Sequence, residues 1–205
     1  MSKFKGKVQL LNQKTICSGF IKVEKLTLKH TLFEGGWSKA LDREVALSTH
    51  VIGVLLFDPV TDKVLLTEQF RAGAYLADEE NAWLTEIVAG RVDINETPVT
   101  AAYRESEEET GCTVTKLIPI VNYYPSPGAC SEIMQLYCGF FSSAESDGRI
   151  CGVAEEGEDI RTCLLSVDEI FQRLIDRKIN NAATLIALQW LQINHASLKA
   201  SLHGT

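Results

Sequence analysis

Four acids fall within five consecutive positions near the middle of the chain: Glu105, Glu107, Glu108 and Glu109. The surrounding residues predict a helix. Thr97 is a candidate N-cap, Pro98 suits the first helical position, and Gly111 suits a left-handed residue that ends a helix. In that helix Glu105, Glu108 and Glu109 share one face, since residues three and four apart are neighbours. Like charges at that spacing repel, and Arg104 is the only basic residue of the predicted helix. Clustered carboxylates suit a hard divalent cation, which takes oxygen ligands, keeps several waters and accepts substrate phosphates as further ligands. Such ions bridging phosphate oxygens serve diphosphate hydrolysis. The plainer alternative is a solvated acidic face.

The acids stand in a fixed frame. Gly90, Glu96, Arg104, Glu105, Glu108, Glu109 and Gly111 fill the pattern G-x5-E-x7-R-E-U-x-E-E-x-G-U, where U is a hydrophobic residue. This resembles the signature of the Nudix hydrolases. One position departs from it: Ser106 stands where a larger aliphatic residue is usual, which removes apolar packing but no carboxylate. Cys112, at the second hydrophobic position, behaves as a small hydrophobe. The flanking stretches Glu68–Tyr75 (EQFRAGAY), Ser126–Glu132 (SPGACSE), Ala154–Ile160 (AEEGEDI) and the helix beginning NNAATLIALQW extend the likeness to the ADP-ribose pyrophosphatase branch.

The resemblance implies a fold, a reaction and a set of roles. The fold is α/β: a Nudix α/β/α sandwich with a mixed sheet, preceded by a small N-terminal β domain. That domain is expected over residues 1–48 and the Nudix domain over 49–205, in a homodimer that exchanges the N-terminal domains. The reaction is ADP-ribose plus water to AMP and ribose 5-phosphate with Mg2+, Mn2+ being the alternative ion. Glu105, Glu109, the Ala89 carbonyl and Glu158 would hold metal. Glu108 would support them by ligation or hydrogen bonding. Arg104 would orient the glutamates, and Glu96 would brace the loop entering the helix. Glu156 would be the general base, with Glu155 the neighbouring alternative. Arg43 and Arg71 would meet phosphate oxygens, Arg43 across the dimer. Phe20 would stack on adenine, while Glu86, Ser126 and Glu132 would make polar contacts with substrate. Phe20 as a core aromatic and residues 155–159 as a solvated acidic loop are the plainer readings.

Three other functions compete. Hydrolysis of another nucleoside diphosphate sugar, such as GDP-mannose, uses the same chemistry. A non-catalytic nucleotide sensor would not need the motif glutamates, and all are retained. Hydrolases of oxidised nucleoside triphosphates are usually shorter and lack an N-terminal β segment.

The whole chain bounds these readings. Its 205 residues, 45% of them hydrophobic, suffice for one ordinary domain with a small appendage. A net charge of −7 and a pI near 5.2 argue against a nucleic-acid partner. The six cysteines form no C-x-x-C pair and are expected to be reduced and mostly buried, pointing to the cytoplasm. The first residues lack the apolar run of a signal peptide, and Val51–Phe57 is too short to span a bilayer.

The predicted elements position the motif. Strands and turns fill about 4–48, including a strand over 18–28 and a turn at 33–36. Val51–Phe57 and Lys63–Phe70 form a hairpin across Asp58-Pro59. A loop covers 72–82, and a strand over 83–88 delivers Gly90. After the motif helix come strands over 113–124, 133–141 and 160–166, with a polar loop over 142–157. Two helices, 167–177 and 180–200, close the chain; the last is apolar on more than one side and is expected deep in the core.

Overall fold

The computed structural model describes residues 4–144 and 146–200, and of Glu79 and Glu156 the backbone alone. The chain divides by internal contacts into two units. One runs through Thr49 and takes in Tyr124–Ile133; the other comprises His50–Tyr123 and the chain from Met134 onward.

The first unit is a three-stranded antiparallel sheet of β1 (Val8–Ser18), β2 (Lys22–His30) and β3 (Leu41–Leu47) in that order. Ser18 ends β1 rather than beginning a strand, because Gly19, Phe20 and Ile21 make the turn into β2. β1 is exposed along its whole length, including Leu10, Leu11 and Ile16. The segment 124–133 attaches to β3. Ala46 and Cys130 bridge in parallel, and Ser131 donates its N–H to the Ala46 carbonyl at 3.0 Å.

The second unit holds an eight-stranded sheet. Its path is β10 (Ile150–Cys151), β11 (Ile160–Ser166), β5 (Lys63–Phe70), β4 (His50–Asp58), β9 (Ile133–Phe140) and β8 (Lys116–Tyr123). β6 (Trp83–Glu86) pairs with β5, and β7 (Val88–Arg91) pairs with β4. The one strand expected over 83–88 is therefore two, with Ile87 between them where the backbone changes partner. The expected loop at 72–82 contains a short helix, α1 (Ala72–Ala77), and a 3-10 turn over Glu79–Asn81.

Period-two alternation along β4 builds a core on each sheet face. Ile52, Val54 and Leu56 pack with Ala101 and Ala102 of α2 (Pro98–Thr110). Leu55 and Phe57 point the other way, into a larger core with Ile170 of α3 (Val167–Ile175) and Ala183, Ala187, Leu188 and Leu191 of α4 (Ala182–Ala200). Helices thus cover both faces, as expected of the α/β sandwich. α4 is less enclosed than its composition suggests: Ile193 is 83% exposed, and the buried residues share one stripe. No helix among the described residues is long and apolar enough to cross a membrane. All six cysteines are free; Cys112 and Cys138 are buried, Cys17 is exposed, and the other three are half-buried.

The hairpin turn after β4 is tied down by a buried carboxylate. Asp58 accepts hydrogen bonds from the N–H groups of Val60, Thr61 and Ser143 and from the Thr61 hydroxyl. Burial pushes its acid upward, but the bonds from Ser143 and Thr61 outweigh that and hold it at about 2, against an ordinary 3.8. A carboxyl depressed by folding stabilises above its unfolded value, and the gain disappears as pH falls through the folded one. Asp58→Asn should lose about 2 kcal/mol near neutral pH. The difference in urea midpoint between wild type and variant should close between pH 3.8 and about 2. A gap independent of pH would contradict this account.

Candidate active site

α2 begins and ends as its sequence dictates. The Thr97 hydroxyl accepts the Thr100 N–H at 3.1 Å, Pro98 is the first helical residue, and Gly111 closes the helix at φ 65°. Ser106 is fully buried and turns its hydroxyl back to the Ala102 carbonyl at 2.7 Å, so the polar atom is satisfied inside its own helix.

Arg104 organises the acids. Its Nε and Nη2 clamp the two oxygens of Glu96 at 3.0 and 2.9 Å. Nη1 donates to Glu105 and to Glu108, both at 2.9 Å, and Nη2 also donates to the Arg91 carbonyl at 3.0 Å. Glu96 in turn accepts the Asp93 N–H at 3.1 Å, bracing the loop into the helix. One guanidinium thus fixes the loop and two carboxylates of α2 together, a use its planar fork suits.

β7 supplies the other wall. The Glu105 carboxyl lies so close to Gly90 that an added Cβ would sit 1.9 Å from it, so a side chain there would displace the carboxyl. Glu109 is 1% exposed, and its Oε2 is buried without a hydrogen-bond partner. Burial pushes the Glu109 carboxyl well above its ordinary value. The negative charges of Glu105 and Glu158 add to the rise, while Arg71 and the Ala89 N–H pull against it. Burial also raises Glu105; Arg104 opposes the rise, and Glu108 and Glu158 add to it.

The loop after β10 brings Glu158 near. Gly152, at φ 102°, donates its N–H to the Glu108 carbonyl at 3.2 Å, pinning the loop to α2. Glu158 accepts the Val153 N–H at 3.0 Å, and its charge reaches both Glu105 and Glu109. The 3-10 turn Ala154–Glu156 lies in the same loop, and the Glu156 side chain is outside the described residues.

A divalent cation fits this donor set. The donors are hard oxygens carrying excess negative charge, and one of them is orphaned in the interior. Among the described residues no three His, Cys, Asp or Glu side chains are already gathered as a metal-binding group. Glu105 and Glu108 turn toward Arg104, and Glu158 toward the Val153 N–H. An ion that keeps waters and takes phosphate ligands does not need a closed protein cage.

The expected substrate contacts divide between the units. In the second unit, Arg71 follows β5 and donates Nε to Glu86 at 2.6 Å. Glu86 is 5% exposed, with both oxygens engaged, one by Arg71 and the other by Asn181 Nδ2, so it serves first to hold Arg71. In the first unit, Phe20 is 87% exposed in the β1–β2 turn, which excludes the core reading of this residue. Arg43 is exposed on β3, and Ser126 is exposed in its turn. Glu132 accepts the Ser48 hydroxyl at 3.0 Å. Gly152 and Asn181 are outside the sequence-based set. A glycine after the last sheet-edge residues and an asparagine before a helical Ala-Ala-Thr were the available signals.

A clustered charge that folding must desolvate should oppose stability when no cation is bound. Glu109→Gln should therefore melt a few degrees higher than wild type in a chelator, since the amide removes the repulsion. A lower melting temperature under those conditions would show that the carboxylate is structurally satisfied.

The NUDIX domain family model matches residues 48–189. An ADP-ribose pyrophosphatase of Haemophilus influenzae is 38% identical over 196 residues, covering 95% of this chain and 90% of the relative. The ADP-ribose pyrophosphatase of Escherichia coli K12 is also 38% identical, over 95% of this chain and 92% of its own. A GDP-mannose pyrophosphatase of Yersinia enterocolitica is 28% identical over 94% of this chain and 98% of its own. A crystal structure of an ADP compounds hydrolase superposes with a TM-score of 0.69 at 20% identity, over 93% of this chain and 97% of that one, which shows a shared fold. By this match and by the motif geometry around α2, the chain belongs to the Nudix family.

Proposed function

We propose that the chain hydrolyses the diphosphate of ADP-ribose to AMP and ribose 5-phosphate, using Mg2+ with Mn2+ as the alternative ion. The observation that carries this reading is the buried, unpartnered oxygen of Glu109 beside two further carboxylates. Nudix hydrolases generally need a divalent metal. The name shared by relatives at 38% identity supports ADP-ribose as substrate.

Glu105, Glu109, the Ala89 carbonyl and Glu158 would hold the cation. When bound, it supplies positive charge against the diphosphate and acidifies a water. The chain's own groups do the rest. Arg104 keeps Glu105 and Glu108 in place on α2. Glu108, with one oxygen on Arg104, supports the other acids rather than meeting substrate. Arg71 donates to phosphate oxygens. Glu156, on a loop pinned to α2, takes the proton of the attacking water, a task for a carboxylate outside the metal set. Phe20 offers a face to adenine; Ser126 and Glu132 offer polar atoms, Glu86 acts through Arg71, which it holds, and Arg43 adds a cation to the phosphates.

ADP-ribose, ADP-glucose, GDP-mannose and NADH should be compared by kcat/KM. ADP-ribose should rank first; a ranking led by GDP-mannose would favour the activity named for the more distant relatives. On the preferred substrate, Glu156→Gln should lower kcat at least about a hundredfold with little change in KM, as for a group acting in the transition state. If Glu155→Gln did this instead, the base would be its neighbour.

The exposed apolar residues of β1 and its turn, Leu10, Leu11, Ile16 and Phe20, suit a surface covered by a second copy. We place the protein as a cytoplasmic homodimer that exchanges its N-terminal β units. The intact chain should sediment as a dimer, and a variant lacking residues 1–45 as a monomer. A truncated chain that stayed dimeric would contradict the exchange.

A further inference from the structure

The base of α4 carries a closed hydrogen-bond network that ends at Arg71. Asn181 caps the helix: its Oδ1 accepts the Thr184 N–H at 3.0 Å and the Thr184 hydroxyl at 3.1 Å. The Thr184 hydroxyl oxygen, fully buried, accepts the Ile87 N–H at 3.0 Å. With Oδ1 taken by two donors, Nδ2 must be the atom facing Glu86, and it donates to Glu86 Oε1. The other Glu86 oxygen takes the Arg71 Nε at 2.6 Å. The carboxylate is therefore held at both oxygens, between a helix cap and a guanidinium.

That arrangement leaves one edge of Arg71 available. Its Nη atoms make no hydrogen bond among the described residues, while its charge reaches Glu109. The guanidinium is bonded to Glu86 and lies within electrostatic reach of Glu109, with both Nη groups to spare. A guanidinium tied through Nε has its four remaining N–H groups oriented in advance, so little freedom is lost when those donors meet a phosphate.

We propose that Asn181 is a positioning residue for the diphosphate: through Glu86 it aims the free edge of Arg71 at the phosphate oxygens. This rests on the reading of Arg71 as a diphosphate contact. Asn181 itself touches no substrate. Its two functions, capping α4 and fixing Glu86, lie on different atoms and can be separated by substitution.

Asn181→Asp keeps the capping oxygen and replaces the donor to Glu86 with a carboxylate oxygen, which repels it. Asn181→Ser keeps a cap without adding charge. Both are measured as the intact chain, for KM and kcat with ADP-ribose, for the Kd of ADP-ribose with metal chelated so that no turnover occurs, and for melting temperature. Each should raise KM and Kd about tenfold, with kcat changed far less and the melting temperature nearly kept. Arg71→Ala should raise KM on its own, and neither Asn181 variant should raise it further in that background, because both act through one guanidinium. Unchanged KM and Kd in both Asn181 variants, with Arg71→Ala still impaired, would overturn the positioning role and leave the Arg71 reading standing. Early melting with unchanged KM per folded enzyme would make Asn181 a helix cap alone and overturn it as well. Asn181 effects that added in full to Arg71→Ala would exclude action through Arg71. An Arg71→Ala variant with wild-type KM would remove both readings together.

Discussion

The site is built on an electrostatic conflict. Burial and mutual repulsion raise Glu105 and Glu109, and Glu158 adds to both. Left alone, such a cluster would splay apart or take up protons. Arg104 opposes the rise at Glu105, and Arg71 and the Ala89 N–H oppose it at Glu109. Arg104 binds Glu96 with two bonds and still reaches Glu105 and Glu108. It compensates the rim of the cluster and leaves its centre, the Glu109 oxygen, without a partner. That deficit is what a hard cation would relieve, and the rest of the architecture serves to keep it in place.

The sheet keeps it by geometry. β4 holds both cores in register, one under α2 and one under α3 and α4. The backbone between β6 and β7 changes partner at Ile87, and this sets Ala89 and Gly90 against α2. The same residue donates its N–H to Thr184, so the strand switch is also where α4 is fastened. The carboxylate cluster and Arg71 are therefore positioned by neighbouring residues of one short stretch, 86–90. A disturbance in the α4 cap would be felt at Glu86 and Arg71 before it was felt at the helix glutamates.

The motif helix was legible in the sequence because its signals are local: Thr97, Pro98 and Gly111 each act within one turn. The α/β layering was legible from the order of the expected strands and helices and from the family resemblance. Other features were not. The division of residues 83–91 into two strands depends on which neighbour each half pairs with, and no local pattern carries that. α1 was missed because Ala72–Ala77 has no buried residue and no side-chain cap to announce it. The exposure of Ile193 shows that apolar content alone does not place a helix in the interior. Asn181 was hidden for a related reason. As a helix cap it is readable, but its bond to Glu86 spans 95 positions and exists only once the fold has formed.

The central claim is that oxygens on one turn of α2 grip divalent cations against a diphosphate. The direct measurement is a crystal structure with Mg2+ and a non-hydrolysable ADP-ribose analogue. The account predicts cation density in contact with Glu109, Glu105 and the Ala89 carbonyl, bridged to the diphosphate. Cations bound only elsewhere, or an analogue seated with no ion beside this turn, would contradict it.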